Sequence, residues 1–438
     1  MIFIYELICR QHSHEVCNAG FLDLFCKAFP NEKIVFYSHE THLLCVKHEL
    51  YLNNKLRKSK ISFKKISLPN QESLWSFFVR YFFFLKEKKK WDKKLNDKII
   101  FLSYDRSLLK ILKLLFGKTP QARASLLLVT HGNLESINKS RSFTNPRDNF
   151  INPESFFVKL IAKFTRPLIL LTSVFRRAVK ILLRVTSIPY LLTLPNLKIL
   201  LKSFNPDFCR YVLLSEHIQK ELNNYKELKS LNTSVIPMPV IMKNMNFARI
   251  KKKVIFGIIG YGLPSALEKL LRLLDCKHIS GDYEIRLIGM QPSFFNKYSK
   301  VIVSRSSVNY NILTRSEMEQ DIKDVNMQII LYPNNSYELS QSLSIFEALR
   351  YNKPIIHINN PCVNFYNDSK NPIGLKCQTL EDMANTIKKL VDNKNYTSNL
   401  LKIFEKNLMS VRKQYSINSS IAHLKFIYEN IDKNKSNF

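Results

Sequence analysis

Short apolar runs alternate with segments of helical period along most of the chain. Residues 1–8 and 33–38 are near-continuous apolar runs, the signature of strands buried on both faces, and 61–68 reads as a third strand. A helix-compatible segment, 17–29, separates the first two runs, and a strong helical pattern over 72–94 follows the third. Residues 98–104, 107–116 and 125–130 read as strand, helix and strand, and 211–215 with 216–223 as a further strand and helix. Strands alternating with helices predict a doubly wound parallel sheet.

The sequence Val235-Ile236-Pro237-Met238-Pro239 interrupts this pattern, and periodicity stays poor as far as Lys253. A second series then begins: strands at 254–259, 283–288, 301–303, 328–332, 354–358 and 375–378, with helices at 265–274, 315–323, 341–350 and 380–391. Helices at 396–415 and 417–431 close the chain. The expected organisation is an α/β domain over 1–236, a linker over 237–253 and a second α/β domain over 254–438 that includes the closing helices. No repeat of 20–50 residues is visible, so the halves are alike in architecture and not in sequence.

Composition changes this picture in one respect. The chain has 438 residues, 45% hydrophobic, with 9 Gly and 17 Pro, which excludes disordered and collagen-like classes. Against 35 Asp and Glu stand 67 Lys and Arg, a formal net charge of +32. Such a balance favours anionic neighbours. No RNP, KH or zinc-finger pattern accompanies the charge, so an anionic membrane surface is expected and nucleic acid is not. The stretch 155–204 fits that expectation, being apolar and basic over FFVKLIAKFTRPLILLTSVFRRAVKILLRVTSIPYLL without one acidic residue. The other reading of this stretch is an insertion packed on the domain with its Arg and Lys heads reaching water. No apolar run reaches the ~18–20 residues of a membrane span. The 8 cysteines include no C-x-x-C pair and suit a reducing compartment.

Chemistry concentrates in residues 327–360, MQIILYPNNSYELSQSLSIFEALRYNKPIIHINN, which read as strand, loop, helix, turn and strand. In open α/β sheets ligands settle beyond the carboxyl ends of the strands, here the loop 333–344. The free N–H groups of the helix start suit a diphosphate. Ser344-Ile345-Phe346-Glu347 fits two roles, a capping box closing the helix on itself or a carboxylate turned to a ligand. On the first half, His14-Glu15 and His131-Gly132 each follow a strand, where cleft residues collect.

The segment SLSIFEALRYNKPII resembles the donor site of bacterial nucleotide-sugar-dependent glycosyltransferases with the GT-B architecture of two Rossmann-like domains facing a cleft. Leu343, Ser344, Glu347, Ala348, Leu349, Lys353, Pro354, Ile355 and Ile356 fall on that pattern. FGIIGYG, EIRLIG, YVLLSEHIQKEL and VIPMPV are similar to its flanking strands and crossover. The resemblance implies that Glu347 accepts hydrogen bonds from the ribose hydroxyls and that Ser342, Leu343 and Ser344 meet the donor diphosphate. It implies that Gly260 and Gly262 let their loop approach that diphosphate, with Lys353 structural. Where relatives carry a Gly-Arg pair and a later Lys, this chain has Tyr261 and, approximately, Lys269; Arg305 or Arg315 is the substitute. Glu338 stands nine positions before Glu347 where the pattern has eight, and Leu339 occupies the matching position.

By the same resemblance, His131 and His14 are the candidate catalytic residues, as general base or as hydrogen-bond donor to the sugar. Buried, satisfied histidines are the alternative. Asn18, Asn133 and Glu135 are expected to line the acceptor side. His12, His14, His39 and His42 lack a third ligand at metal spacing, so neither metal nor cofactor is expected. The expected function is transfer of a sugar from a nucleotide diphosphate sugar to a surface glycan, lipid-linked, at the cytoplasmic face of the cell membrane. A nucleotide-sugar epimerase or hydrolase of the same fold, or a non-catalytic polyanion- or membrane-binding protein, are the alternatives.

Overall fold

The computed structural model describes residues 1–52, 61–69, 74–91, 97–116, 125–131, 134, 197–204, 209–226, 228–260, 264–289, 295, 297–304 and 313–436. The stretch 155–196, with Asn133, Glu135, Tyr261, Gly262 and Arg305, lies outside them.

Two parallel sheets organise the chain. The first has seven strands in the order β3-β2-β1-β4-β5-β6-β7, from β1 (Ile2–Glu6), β2 (Ile34–Ser38), β3 (Ile61–Lys65), β4 (Lys98–Phe101), β5 (Ser125–Thr130), β6 (Cys209–Leu213) and β7 (Thr233–Val235). The second has six in the order β10-β9-β8-β11-β12-β13, from β8 (Val254–Ile259), β9 (Tyr283–Ile288), β10 (Val301–Val303), β11 (Met327–Ile330), β12 (Ile355–Ile358) and β13 (Gly374–Cys377). Every residue of β1, β2, β4 and β5 is buried, as the apolar runs require of strands covered on both faces. In each sheet the strand order reverses once, between β1 and β4 and between β8 and β11. The crevices at those two points are where this architecture places ligands.

Of the helices, α1 (Glu15–Ala28), α2 (Glu40–Leu52), α3 (Leu74–Trp91) and α4 (Arg106–Phe116) cover the first sheet, with α5 (Leu197–Leu201) packed on α4 and α6 (Glu216–Leu222) between β6 and β7. The second sheet carries α7 (Pro264–Asp275), α8 (Arg315–Lys323), α9 (Leu343–Arg350), α10 (Pro361–Tyr366), α11 (Leu380–Asp392) and α12 (Lys394–Gln414). The sequence pattern does not reveal α2, because its inward face is only partly apolar. His42 and Glu49 are buried on it beside Val46 and Leu50, which breaks the hydrophobic period.

One boundary is corrected. The last helix, α13 (Ile417–Ser436), expected with the second domain, packs on α1 of the first. Leu424, Ile427, Tyr428 and Ile431 join the core of the first sheet, the Tyr428 ring meets Phe29 edge-on at 5.4 Å, and Lys98 Nζ lies 5.2 Å from its centroid. The buried apolar stripe of α13 finds there the surface it needs. The linker also presses on α1: a Cβ on Gly20 would lie 1.9 Å from the Pro239 carbonyl oxygen, so only glycine admits this approach. No helix among the described residues is long and apolar enough to cross a membrane.

Candidate active site

At the second sheet's reversal, the chain turns sharply after β8 and β9. Gly260 and Gly289 take φ of +89° and +80°, and a Cβ on Gly289 would lie 3.8 Å from Gly260 Cα. Both values belong to the left-handed region that glycine adopts without strain. The position of a Cβ on Gly260 is 4.0 Å from Ser344 Oγ, so this turn faces the start of α9.

The start of α9 does not form the capping box, one of the two roles open to Ser344-Ile345-Phe346-Glu347. Ser342 is the cap, its Oγ accepting the Ser344 N–H at 3.2 Å, and α9 begins at Leu343. Tyr332, just past β11, organises the hydroxyls: it accepts from Ser342 Oγ at 2.8 Å and donates to Ser344 Oγ at 2.7 Å. Ser344 thus keeps a proton to offer toward Gly260. Glu347 reaches neither cap. It is buried and accepts from Arg315 Nη1 at 2.9 Å, while its Oε2 has no hydrogen-bond partner. The S-x-x-E spacing fits either a local cap bond or a carboxylate turned outward; in the fold a guanidinium brought from α8 takes Glu347.

Arg315 is the first residue of α8, and its other nitrogen, Nη2, pairs with Glu15 at the start of α1. The two sheets' domains therefore meet through one buried arginine held between two carboxylates. Burial works against a charge on Glu15, yet Arg315 and His12 hold its carboxyl down to about 2. His12 Nδ1 lies 3.8 Å from Glu15 Oε1, and contact with Cys45 Sγ and then with Glu15 raises His12 to about 10. The positive end of α1 also favours an anion at this position.

Across the crevice the first sheet contributes Glu6, at the carboxyl end of β1. Its Oε1 accepts the N–H groups of Ile8 at 2.9 Å and Cys9 at 3.0 Å and the Ser103 hydroxyl; its Oε2 accepts from Asn18 at 3.3 Å. Burial raises the Glu6 carboxyl, but His42, Ser103 and these amides outweigh it and leave the carboxyl below its ordinary value. Asn18 Nδ2 is 2.8 Å from His42 Nε2, whose Nδ1 is 2.8 Å from the Gln11 carbonyl oxygen. Glu6 and His42 thus pin the loop that ends in His14. That residue caps α1 in a left-handed conformation, φ 59°, which a histidine keeps only where its surroundings impose it. Its ring lies 5.1 Å, centre to centre, from that of His131, just past β5. Both His131 nitrogens are buried without a hydrogen-bond partner, and burial with the neighbouring His14 lowers its pKa to about 3.

The structure thus joins Glu347, Arg315, Ser342, Leu343, Ser344 and Gly260 at one crevice and His14 with His131 at the other. Lys269 is exposed on α7. Glu338 is half-buried in the loop before α9, and Leu339 is buried. Lys353 is structural: its Nζ donates to Lys323 O at 2.9 Å and Val325 O at 2.8 Å. Neither Glu6 nor Tyr332 is a candidate in the sequence, and His42 enters there only in the search for a metal site, although a carboxylate ending an apolar strand, as in YEL at 5–7, is a usable signal.

The loop before α9 is held from the first domain by His217, the second residue of α6. Its Nδ1 is 2.8 Å from Ser215 Oγ, and its Nε2 is 3.2 Å from both the Tyr337 and Ser340 carbonyl oxygens. Burial lowers its pKa to about 4 despite those carbonyls. The folded chain keeps His217 neutral where the unfolded chain, near pKa ~6.5, takes a proton. Its contribution is present above pH ~6.5 and is lost as pH falls toward the folded pKa. We expect chemical denaturation to show stability falling over that window by on the order of 3 kcal/mol from His217. His217→Gln should flatten the slope; an unchanged slope in the variant would assign it to other groups.

No protein-family model and no curated protein matches the chain. Solved structures match over its whole length. A glycosyltransferase from Rickettsia africae ESF-5 aligns at TM-score 0.57 and 14% identity, covering 99% of each chain. Alr3699/HepE of Anabaena, solved with UDP-glucose, aligns at 0.55 and 10%, covering 100% of both. The lipopolysaccharide outer core galactosyltransferase WaaB aligns at 0.52 and 13%, covering 99% of this chain and 100% of that one. The fold is therefore GT-B, two Rossmann-like domains about a cleft, as the donor-site resemblance implied.

Proposed function

We propose that this chain is a glycosyltransferase that moves a sugar from a nucleoside diphosphate sugar to a surface-glycan acceptor carried on a lipid at the cytoplasmic membrane face. The observation that carries this reading is the convergence on one crevice of Glu347, Arg315, the α9 N-terminus and the Gly260 turn. Glu347 offers acceptors only, which suits ribose hydroxyls. Arg315 and the helix start supply positive charge where a diphosphate leaves, so a metal is not required in that role. His131, neutral and unpartnered, faces the reaction as a hydrogen-bonding group to the sugar and not as a charged acid. Similar structures include one solved with UDP-glucose and a lipopolysaccharide galactosyltransferase, which supports both the donor and the acceptor class. Support for the membrane comes from the net charge of +32 and from the outward face of α3, where Phe82 and Leu85 are exposed beside Lys86, Lys89 and Lys90.

The test is donor protection followed by transfer. A nucleoside diphosphate sugar at a hundredfold excess over Kd should stabilise the fold by ~2.7 kcal/mol in a thermal-shift screen. Labelled sugar should then pass to lipid-linked acceptor in vesicles containing anionic lipid. Absence of protection by every nucleotide would remove the donor site. Isomerised sugar formed from donor alone would replace transfer by epimerisation.

A further inference from the structure

The pair Glu15–Arg315 leaves polar atoms unanswered. Arg315 Nε, Glu15 Oε2 and Glu347 Oε2 are all buried without hydrogen-bond partners, in a cluster where two carboxylates share one guanidinium. Arg315, Glu15 and Glu347 expose 7%, 3% and 7% of their side chains, so water does not readily complete the set. An incompletely satisfied buried charge cluster is expensive. Such a cluster becomes favourable when a ligand supplies what is missing. A nucleoside diphosphate brings both groups needed: ribose hydroxyls to donate to Glu347 Oε2, and anionic oxygens to accept from Arg315.

The diphosphate and the Glu15 carboxylate cannot both occupy the same edge of Arg315. Glu15 belongs to the other domain, at the start of α1, whereas Arg315 and Glu347 share the second domain. We propose that Glu15 is the positioning residue of the donor site: its carboxylate stands in for the donor diphosphate at Arg315, keeping the guanidinium aimed at the crevice until the donor displaces it. This rests on the donor-site reading above. Donor binding then exchanges one anion for another at a preformed guanidinium, and release of the nucleoside diphosphate is helped by the returning carboxylate. Removing the charge of Glu15 should therefore tighten diphosphate binding and slow its release, the reverse of what loss of a ligand contact does.

The experiment compares full-length wild type with Glu15→Gln by calorimetric titration of a panel of nucleoside diphosphates and the matching nucleosides. The variant should bind the diphosphates about tenfold more tightly, a gain of ~1.4 kcal/mol, and the nucleosides with unchanged affinity. In turnover its donor KM should fall together with kcat as product release slows. Wild-type protein alone gives a second measurement: on adding the diphosphate, hydrogen exchange should rise at residues 15–18 of α1 and fall at 344–347 of α9. Equal or weaker diphosphate binding by the variant, or protection rising at both helix starts, overturns the role given to Glu15 and leaves the donor site standing. Absence of diphosphate binding by either protein overturns both.

Discussion

Glu347→Gln should lose nearly all donor protection while keeping the fold. The glutamine has the same shape, so the α9 packing of Ile345, Phe346, Ala348 and Leu349 is undisturbed, and Arg315 retains Glu15 as its counter-ion. What disappears is the charged acceptor. Hydrogen bonds to an ionised group are worth ~1.5–3 kcal/mol each, so loss of about 3 kcal/mol, a roughly 100-fold rise in Kd for a nucleoside diphosphate sugar, is expected. Circular dichroism checks the fold and calorimetry the affinity. Wild-type affinity in the variant would confine Glu347 to its ion pair with Arg315 and remove the ribose contact. Together with Glu15→Gln, this substitution separates the two carboxylates on one guanidinium: one variant weakens the donor and the other tightens it.

The largest stability effect is expected at Arg350. Its side chain is fully buried at the end of α9, and Nη2 donates to Glu49 of α2 at 2.7 Å and to Glu319 of α8 at 3.3 Å. Its carbonyl oxygen accepts the Lys243 N–H of the linker at 3.1 Å. Two domains and their connection thus meet at one residue. Arg350→Met removes the guanidinium and leaves Glu49, itself 1% exposed, beside an apolar side chain. Removing one partner of a buried pair costs ~3–5 kcal/mol, because the other charge stays desolvated. Removing both is far milder, so Glu49→Leu with Arg350→Met should recover more than half of the loss in denaturant unfolding. A loss below ~1 kcal/mol in the single variant would show that the pair does not hold the domains together.

Most strands were legible because each had to be apolar on both faces. Val254–Ile259, Tyr283–Ile288 and Val301–Val303 fall where the pattern placed them, as does α8, which the structure closes with a capping box at Thr314 and Glu317. Helix α2 was not legible, since polar His42 and Glu49 occupy its inward face for partners contributed by the β1–α1 loop and by α9. The helix bearing Glu347 was readable from its pattern, but not its cap: the S-x-x-E spacing describes a local bond, whereas the bond formed runs to Arg315, thirty-two positions earlier. Nothing local marked Gly20 as the surface that the Pro239 carbonyl approaches.

The sequence by itself determined the alternation of elements, the two α/β series and the segment around Glu347, because hydrophobic period and helix-start chemistry act over a few residues. The tertiary structure decided what could not be local. It set Glu15, Arg315 and Glu347 in contact across 300 and 32 positions of separation, joined His14 to His131, and carried α13 back to the first domain. Those arrangements follow from where parallel strands end and where buried charges find counter-ions. Both are properties of packing that no window of sequence contains.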